Sequence, residues 1–386
     1  MRGFRGVSII SVSLVCVMSL LSFVACKNEP KVEGKAHVIQ EVAFDASMGK
    51  GTAEYDEAMA NPSDAERYMT LKKLYEDHLP SKMAFSETPK IPKILHQIWL
   101  GPKTPPAHFM LFRDKWKAMH PDWEYKLWTD ADLDSLNLEL RDLIDASPNY
   151  AEKSDILRSE LLERFGGVYL DVDMDPKVAL TELNHKYDFY CGIETPHKIA
   201  TVTNQIWVGI SIIASCPHHP IMQRWKELIR ARWVSVNDMY ASSIERVINH
   251  TYFPFSFAVF EKLKDENMTN MLFPATYFYP LSASNAARRR DALRSWREKL
   301  YEFLEKIHLK APRAFSRVYP ETIAVHYWGS SWQPNKSEQI KDLQAQLDFL
   351  RQDIYSMRQK MRQIEKTQTA MLGNKTGEDK LTLKAR

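Results

Sequence analysis

Three aspartates stand at every second position directly after a short apolar segment. They are Asp171, Asp173 and Asp175, and residues 168–170 precede them. Because side chains alternate between the two faces of a strand, this spacing predicts one strand with all three carboxylates on the same face. Aligned carboxylates repel one another unless a cation lies between them, and Mg²⁺ or Mn²⁺ suits oxygen ligands. The spacing therefore indicates a metal site, although Asp-x-Asp pairs also occur at ordinary solvated strand ends.

A predicted helix comes immediately before this strand and carries two charged residues on one face. Asp155 and Arg158 are three positions apart, and apolar residues between 156 and 165 form a second face. Gly166 and Gly167 end the helix, because glycine readily adopts the left-handed conformation found at helix C-termini. The charged pair is either a surface ion pair or a substrate contact, and its place beside the aspartates favours substrate contact.

Three ordered segments of the chain resemble glycosyltransferase family 32, which contains initiating mannosyltransferases and is similar to the glucosylating domains of large clostridial toxins. The segments are 91–101 (IPKILHQIWLG), 154–173, and 324–332 (AVHYWGSSW), so the resemblance covers about residues 90–332. It implies a GT-A fold, with a mixed sheet flanked by helices. It also implies a transferase that moves a hexose from a nucleotide-sugar donor to a glycan, lipid or protein hydroxyl, with retention at the anomeric carbon and with Mn²⁺ or Mg²⁺ as cofactor.

The resemblance implies a role for each matching residue of the first two segments. Trp99 would stack on the nucleotide base, where an aromatic face contributes about 1–3 kcal/mol. Asp155 and Arg158 would hold the sugar. Asp171 would contact the ribose and the metal region, and Asp173 would bind the cation directly, which completes the predicted catalytic set. Without the resemblance, Trp99 is equally well interpreted as a core tryptophan.

The resemblance also places residues around the diphosphate. Ser331 and Trp332 would close over it, and His326 would be a third metal ligand, although a core histidine fits the apolar segment 323–328 as well. Asn204 would either touch the donor or acceptor or cap a helix. The cation would stabilise the leaving diphosphate as a Lewis acid, so the reaction requires no strong nucleophile.

The amino-terminal segment 1–26 is predicted to be a targeting segment. Arg2 and Arg5 precede a mostly apolar run from 7 to 25, and Cys26 follows it. This pattern resembles a bacterial lipoprotein signal, and the run is also long enough for an uncleaved type II membrane anchor. Both alternatives associate the chain with a membrane and place the catalytic domain outside the cytoplasm, in a secretory lumen or on a bacterial surface.

The remaining domains follow from composition and periodicity. Residues 27–89 are predicted to form a stem with an amphipathic helix, and residues 90–333 the catalytic domain. Apolar residues repeat at spacings of three and four within 336–368, which predicts either a coiled coil that joins copies of the chain or a long helix packed on the enzyme itself. The tail 369–386 is predicted to be disordered.

Net charge and cysteine content bear on the class of protein and on its redox environment. The chain has 386 residues and a net charge of +3, which is far from the basic excess of a nucleic-acid-binding protein. Cys191 and Cys216 fall in the predicted catalytic domain and either pair in an oxidising compartment or stay as buried thiols.

Two rival functions fit parts of the sequence. Asp171 and Asp173 after an apolar strand are also typical of a phosphotransferase of the haloacid dehalogenase type, in which they would act as nucleophile and general acid. Alternatively, the chain is a membrane-tethered scaffold that keeps a transferase fold without activity and works through its coiled coil.

Overall fold

A computed structural model describes residues 39–197, 204–233, 240, 242–265, 267–282 and 315–329, together with 358, 359 and 361. The elements below all belong to the unit Gln40–Arg386. The predicted targeting segment 1–26, nearly all of the predicted coiled coil 336–368 and the predicted tail 369–386 lie outside the described residues. Within the described residues, no helix combines the length and the apolar character that a membrane crossing requires.

Eight strands in the described part of the chain form two sheets. In chain order they are β1 Ile94–Ile98, β2 Glu124–Trp128, β3 Gly167–Leu170, β4 Met174–Pro176, β5 Phe189–Ile193, β6 Val208–Ser215, β7 Asn270–Phe273 and β8 Ala324–His326. The larger sheet has the order β2-β1-β3-β6-β5-β7, and β4 pairs with β8 in the smaller one. Strand β6 runs antiparallel to β3 and β5, whereas the other neighbours in the larger sheet are parallel.

Helices surround this sheet and supply the connections between its strands. The α-helices are Phe44–Ser47, Ala53–Met59, Pro62–Asp77, Ala107–Met119, Arg141–Ala146, Tyr150–Phe165, Thr181–Lys186, Pro220–Arg232, Ser243–Val247 and Phe253–Lys262. Short 3-10 helices occupy Pro80–Lys82, Asp130–Ser135 and Ala275–Tyr277, and a π-helical turn occupies Ile248–Tyr252. The mixed sheet flanked by helices that the family resemblance implies is confirmed.

The helix Tyr150–Phe165 and its two-glycine end are formed as predicted. The Asn149 side chain caps the first turn by accepting a hydrogen bond from the Ala151 N–H at 2.8 Å. Gly166 ends the helix with a φ of 62°, and Gly167 follows with a φ of 93°. A Cβ at Gly167 would lie 2.8 Å from the Ile94 carbonyl oxygen, so the approach of β3 to β1 requires glycine here.

The prediction of one strand through Asp175 is wrong. Strand β3 ends at Leu170, and β4 begins at Met174 in the other sheet. The chain turns between them, because the Met174 N–H donates to the Asp171 carbonyl oxygen at 3.1 Å instead of continuing the ladder. Asp175 is therefore separated from the other two aspartates and pairs with Lys115 at 3.0 Å and Lys177 at 2.6 Å.

The segment before β1 packs onto an edge of the larger sheet. The helix Pro62–Asp77 lies against β7, and its Tyr75 hydroxyl is 2.9 Å from the hydroxyl of Tyr277. The Asp64 carboxylate, fully buried, accepts hydrogen bonds from the N–H groups of Gln205 at 2.8 Å and Ile206 at 3.2 Å. These contacts cross residue 90. The predicted boundary between a stem and a catalytic domain at that residue stays a prediction.

Both cysteines of the described residues are free thiols. Cys191 is buried in β5, and Cys216 is half-buried just after β6. Burial raises the pKa of both, that of Cys216 to about 11, so neither is a reactive thiolate near neutral pH.

Candidate active site

Two strand ends bring together three side chains that could hold a metal ion, called the metal group below. Asp171 and Asp173 lie in the turn between β3 and β4, and the β4–β8 pairing sets His326 opposite Met174. One ligand atom from each of Asp171, Asp173 and His326 lies within 4.8 Å of the others. The antiparallel pairing of β4 with β8 thus delivers the imidazole to the two carboxylates from a distant part of the sequence.

Each carboxylate of this group keeps one oxygen for the protein and turns the other toward the imidazole. Asp171 accepts a hydrogen bond from the Tyr169 hydroxyl on Oδ1 at 2.7 Å, and its Oδ2 lies 3.7 Å from His326 Nε2. Asp173 accepts from the Gly329 N–H on Oδ2, and its Oδ1 lies 3.4 Å from the same nitrogen. Three ligand atoms therefore face one another from fixed side chains.

The charges of Asp173 and His326 stabilise each other. Burial opposes ionisation of both groups, but their mutual attraction outweighs it, so the pKa of Asp173 is lowered and the pKa of His326 is raised. The Ser211 hydroxyl contacts His326 Nε2 at 3.2 Å and helps to fix the ring. Two carboxylates and one imidazole form a donor set that suits Mn²⁺ and also accepts Mg²⁺, so the residues fit the cation that the family resemblance implies.

Arg158 connects the helix Tyr150–Phe165 to the metal group. Its Nη2 lies 2.9 Å from Asp155 Oδ1 and 3.3 Å from Asp171 Oδ1, and Nη1 donates to the Ile210 carbonyl. The guanidinium carbon also lies 4.0 Å from the centre of the Tyr169 ring. Burial opposes the charge, yet Tyr169, Asp155 and Asp171 together raise the pKa of Arg158, which keeps it cationic. The predicted helix-face pair is thus buried beside the metal ligands.

Asp155 is a buried carboxylate whose charge is costly. Burial raises its pKa to about 6, although Arg158 and the Thr251 hydroxyl act in the opposite direction. Thr251 Oγ1 lies 2.6 Å from Asp155 Oδ2 and 2.8 Å from the Val247 carbonyl oxygen. A hydroxyl carries a single hydrogen, so these two acceptors compete for it unless Asp155 itself is protonated.

Trp99 packs against the same apolar cluster as Val172, the residue between Asp171 and Asp173. It follows β1, and its indole N–H donates to the Lys103 carbonyl. Its partly buried ring packs with Val172 and Trp328 against a cluster of buried apolar residues formed by Phe109, Phe112, Leu281, Val325 and Tyr327. Val172 separates the two metal-binding aspartates, so Trp99 stands next to the turn that carries them.

Other predicted residues lie elsewhere. Asn204 donates through Nδ2 to Ser63 Oγ and Asp64 Oδ1, both at 3.1 Å, and so contacts the start of the helix Pro62–Asp77 rather than the metal group. Ser331 and Trp332 lie outside the described residues. The roles assigned to these residues in donor binding stay predictions.

The structure adds residues that the sequence did not indicate. Glu194 follows β5 directly and is buried, and burial raises its pKa. Tyr252, in the π-helical turn, donates its hydroxyl hydrogen to Glu194 Oε2 at 2.9 Å. The position of Glu194 directly after a strand of apolar residues is a signal that the sequence contains. No residue pattern in the sequence indicates the π-helical turn that carries Tyr252.

Comparison with known proteins agrees with this site. A family model described as a glycosyltransferase sugar-binding region containing DXD motif matches residues 106–190. The chain is 27% identical over 200 residues to inositol phosphoceramide mannosyltransferase 2 of Schizosaccharomyces pombe, a match that covers 45% of this chain and 52% of that protein. It is 31% identical over 140 residues to mannosyl phosphorylinositol ceramide synthase SUR1 of Saccharomyces cerevisiae, covering 34% and 32% respectively.

Among solved structures, the catalytic domain of alpha-toxin from Clostridium novyi is 13% identical, with a TM-score of 0.31 over 60% of this chain and 74% of that one. The chain thus spans between about a third and a half of the length of the two yeast relatives it matches. The family model covers the turn with Asp171 and Asp173 and the helix with Asp155 and Arg158. The resemblance seen in the sequence is therefore confirmed: residues 106–190 match a glycosyltransferase sugar-binding region containing DXD motif.

Proposed function

We propose that the chain is a metal-dependent glycosyltransferase that moves a hexose from a nucleotide sugar to a hydroxyl group, with retention at the anomeric carbon and on a GT-A fold. The observation that carries this proposal is the group Asp171, Asp173 and His326, with Arg158 bound to Asp171 beside it. The rival phosphotransferase would use Asp171 as a nucleophile. Here, however, Asp171 Oδ1 is engaged by Tyr169 and Arg158, and its other oxygen faces an imidazole.

The donor's diphosphate and its cation have a defined place in this proposal. Asp171, Asp173 and His326 would hold Mn²⁺ or Mg²⁺, which stabilises the negative charge that grows on the diphosphate as the glycosyl bond breaks. The Arg158 guanidinium, fixed by four contacts, adds a preorganised positive charge at the same place. Asp155, which shares the Nη2 atom of Arg158 with Asp171, would offer its carboxylate to hydroxyl groups of the sugar, and Trp99 would offer its ring to the base.

One yeast relative is named inositol phosphoceramide mannosyltransferase 2 and the other mannosyl phosphorylinositol ceramide synthase SUR1, so we extend to this chain a mannose donor and a glycolipid acceptor. Membrane association through residues 1–26, a catalytic domain outside the cytoplasm and self-association through residues 336–368 belong to the same proposal. The alternative of an inactive scaffold predicts that donor binding is absent while self-association remains.

The test is to incubate the purified full chain with GDP-mannose, UDP-glucose and UDP-N-acetylglucosamine, with Mn²⁺ and separately with EDTA. We expect hydrolysis or transfer of at least one donor with Mn²⁺ and a loss of about 100-fold or more with EDTA. Released free nucleoside diphosphate identifies glycosyl transfer or hydrolysis, whereas inorganic phosphate released from simple phosphate esters identifies the phosphotransferase. Absence of turnover with every donor, together with oligomer formation, favours the scaffold.

A further inference from the structure

Glu194 is a buried carboxylate at the candidate active site for which the proposed chemistry has no use. It retains 4% of its surface, and its backbone N–H donates to the Trp207 carbonyl at 3.0 Å, which fixes the main chain at the end of β5. A buried carboxylate that serves only packing is costly, because desolvation penalises its charge. Glu194 therefore calls for a physical explanation.

One aromatic ring, that of Tyr279, contacts both β5, which leads to Glu194, and His326 of the metal group. The Tyr279 ring fills the space that side chains would occupy at Gly192 and Gly209, two glycines of β5 and β6. The same ring packs edge-on against His326, with 5.6 Å between ring centres. The charges also interact, since the carboxylate of Glu194 contributes to the raised pKa of His326. Glu194 directly follows β5, so the Tyr279 ring links the strand that leads to Glu194 with the metal group.

Only one oxygen of Glu194 is held by the described part of the protein. Oε2 accepts the Tyr252 hydroxyl hydrogen bond at 2.9 Å and lies 3.7 Å from His197 Nε2. No described residue donates a hydrogen bond to Oε1, and Oε1 is not among the described buried polar atoms that lack both a partner and solvent. This oxygen is an acceptor that is open to a ligand.

The residue that holds Glu194 belongs to an element that also holds Asp155. In the π-helical turn Ile248–Tyr252, Thr251 contacts Asp155 at 2.6 Å and the next residue, Tyr252, contacts Glu194 at 2.9 Å. A π-helical turn places consecutive side chains at spacings that an α-helix does not offer, and such turns often occur at functional sites. One turn therefore sets the position of two carboxylates that flank the metal group.

We propose that Glu194 is a further substrate-binding residue, whose Oε1 accepts a hydrogen bond from a hydroxyl group of the transferred hexose, and that Tyr252 is its positioning residue. This inference rests on the proposed function. A carboxylate suits this role because hydrogen bonds to charged acceptors are shorter and about twice as strong as those between neutral groups. Glu194 would then discriminate the sugar, whereas the metal group grips the diphosphate, which is common to all donors.

The test separates recognition of the sugar from recognition of the nucleotide. Binding of a nucleotide sugar and of its nucleoside diphosphate, such as GDP-mannose and GDP, is measured by calorimetry with Mn²⁺ for the full chain. For Glu194→Gln we expect about 10- to 100-fold weaker binding of the nucleotide sugar and unchanged binding of the diphosphate. For Tyr252→Phe, which keeps the carboxylate, we expect a smaller loss of about 3- to 10-fold in the same direction.

Tyr187→Phe is the matched control, because Tyr187 is also fully buried and donates its hydroxyl hydrogen to the His78 carbonyl at 2.7 Å, far from the metal group. This variant should bind both ligands as the wild type does. Thermal melting checks that each variant folds. Equal effects of Glu194→Gln on both ligands, or an effect on neither, would overturn the inference. Wild-type protein that binds no nucleotide sugar would instead overturn the proposed function on which the inference rests.

Discussion

Asp173 and Asp175 are two positions apart in the sequence, and the spacing assigned them to the same carboxylate cluster. In the structure, Asp173 faces His326, whereas Asp175 faces Lys115 and Lys177. Two of the three aspartates therefore belong to one group with His326, as the pattern of residue types predicted, whereas the third does not. A single turn after Leu170 causes this difference, because it moves Asp175 into the smaller sheet.

The two aspartates make a matched pair for mutation. Asp173→Asn should lower kcat/KM for the best donor by about 100-fold or more, because it removes a negatively charged ligand from the cation site. Asp175→Asn should leave kcat/KM within about 3-fold, since its lysine partners can reach solvent. Steady-state kinetics with Mn²⁺ measures both. Similar losses in the two variants would show that all three aspartates act together, as the sequence pattern predicted.

Asp155 makes stability depend on pH. Its pKa rises from 3.8 in the unfolded chain to about 6 in the folded chain, so the folded chain binds the proton more tightly. The contribution of Asp155 to the free energy of unfolding is therefore fully present below about pH 4. It is lost as the pH rises through about 6, which lowers the free energy of unfolding by up to about 3 kcal/mol. The asparagine of Asp155→Asn does not titrate, so the variant lacks this pH dependence. Its melting temperature, relative to that of the wild type, should increase between pH 4 and 7 in EDTA.

The control for this experiment is Asp134→Asn, because the Asp134 side chain is 89% exposed and lies on the surface beside Arg141. Its melting temperature should follow that of the wild type across the same pH range. A constant difference between Asp155→Asn and the wild type at every pH would contradict the assignment of a costly buried charge to Asp155.

At the scale of elements, local signals in the sequence were sufficient where neighbours along the chain decide the structure. The helix Tyr150–Phe165, its asparagine cap and its glycine end all follow from residues inside or next to it. The end of β3 does not follow from nearby residues, because it depends on where β3 stops pairing with β6 and where β4 starts pairing with β8. Leu170 is the last residue of β3 and pairs with Ile212 of β6, and Met174 is the first residue of β4 and pairs with His326 of β8. Alternating residue types cannot reveal such a change of partner.

The two-glycine turn sets the distance between the helix that carries Asp155 and the strand that leads to Asp171. Gly167→Ala should lower the free energy of unfolding by about 2–4 kcal/mol, because a Cβ meets the Ile94 carbonyl oxygen at 2.8 Å and φ is positive. Gly51→Ala is the control, since Gly51 also has a positive φ, 91°, but is exposed. Denaturant unfolding should show a loss of only about 1 kcal/mol for it. Equal losses would mean that the contact with β1 contributes nothing.

At the scale of the whole molecule, the helix Pro62–Asp77 is tied to the segment before β6 through the buried Asp64 side chain. Asp64→Ala removes the acceptor for two buried N–H groups, those of Gln205 and Ile206. We expect the free energy of unfolding to fall by about 2–5 kcal/mol. Glu66→Ala, on an exposed position of the same helix, should change it by less than about 0.5 kcal/mol. Urea titrations followed by tryptophan fluorescence would measure both free energies of unfolding. Equal unfolding curves for the two variants would show that the Asp64 contacts do not stabilise the fold.

The sequence predicted the fold class and named three side chains that the structure places side by side, because the family resemblance supplied His326 where spacing alone did not. It did not predict Glu194, nor the contacts that Thr251 makes with Asp155 and Tyr252 makes with Glu194. These contacts form through pairing of distant strands and through a π-helical turn, and no local residue pattern encodes either. Prediction failed where contacts between remote segments decide the geometry.

His326 comes from β8, close to the last part of the folded unit in the chain, whereas Asp171 and Asp173 come from its middle. During synthesis the carboxylates therefore leave the ribosome long before the imidazole. Until β8 docks, the half-built cluster lacks its nitrogen ligand. A chain interrupted before that strand lacks one of the three side chains proposed to hold the cation, so capture of the ion would report that β8 has paired with β4.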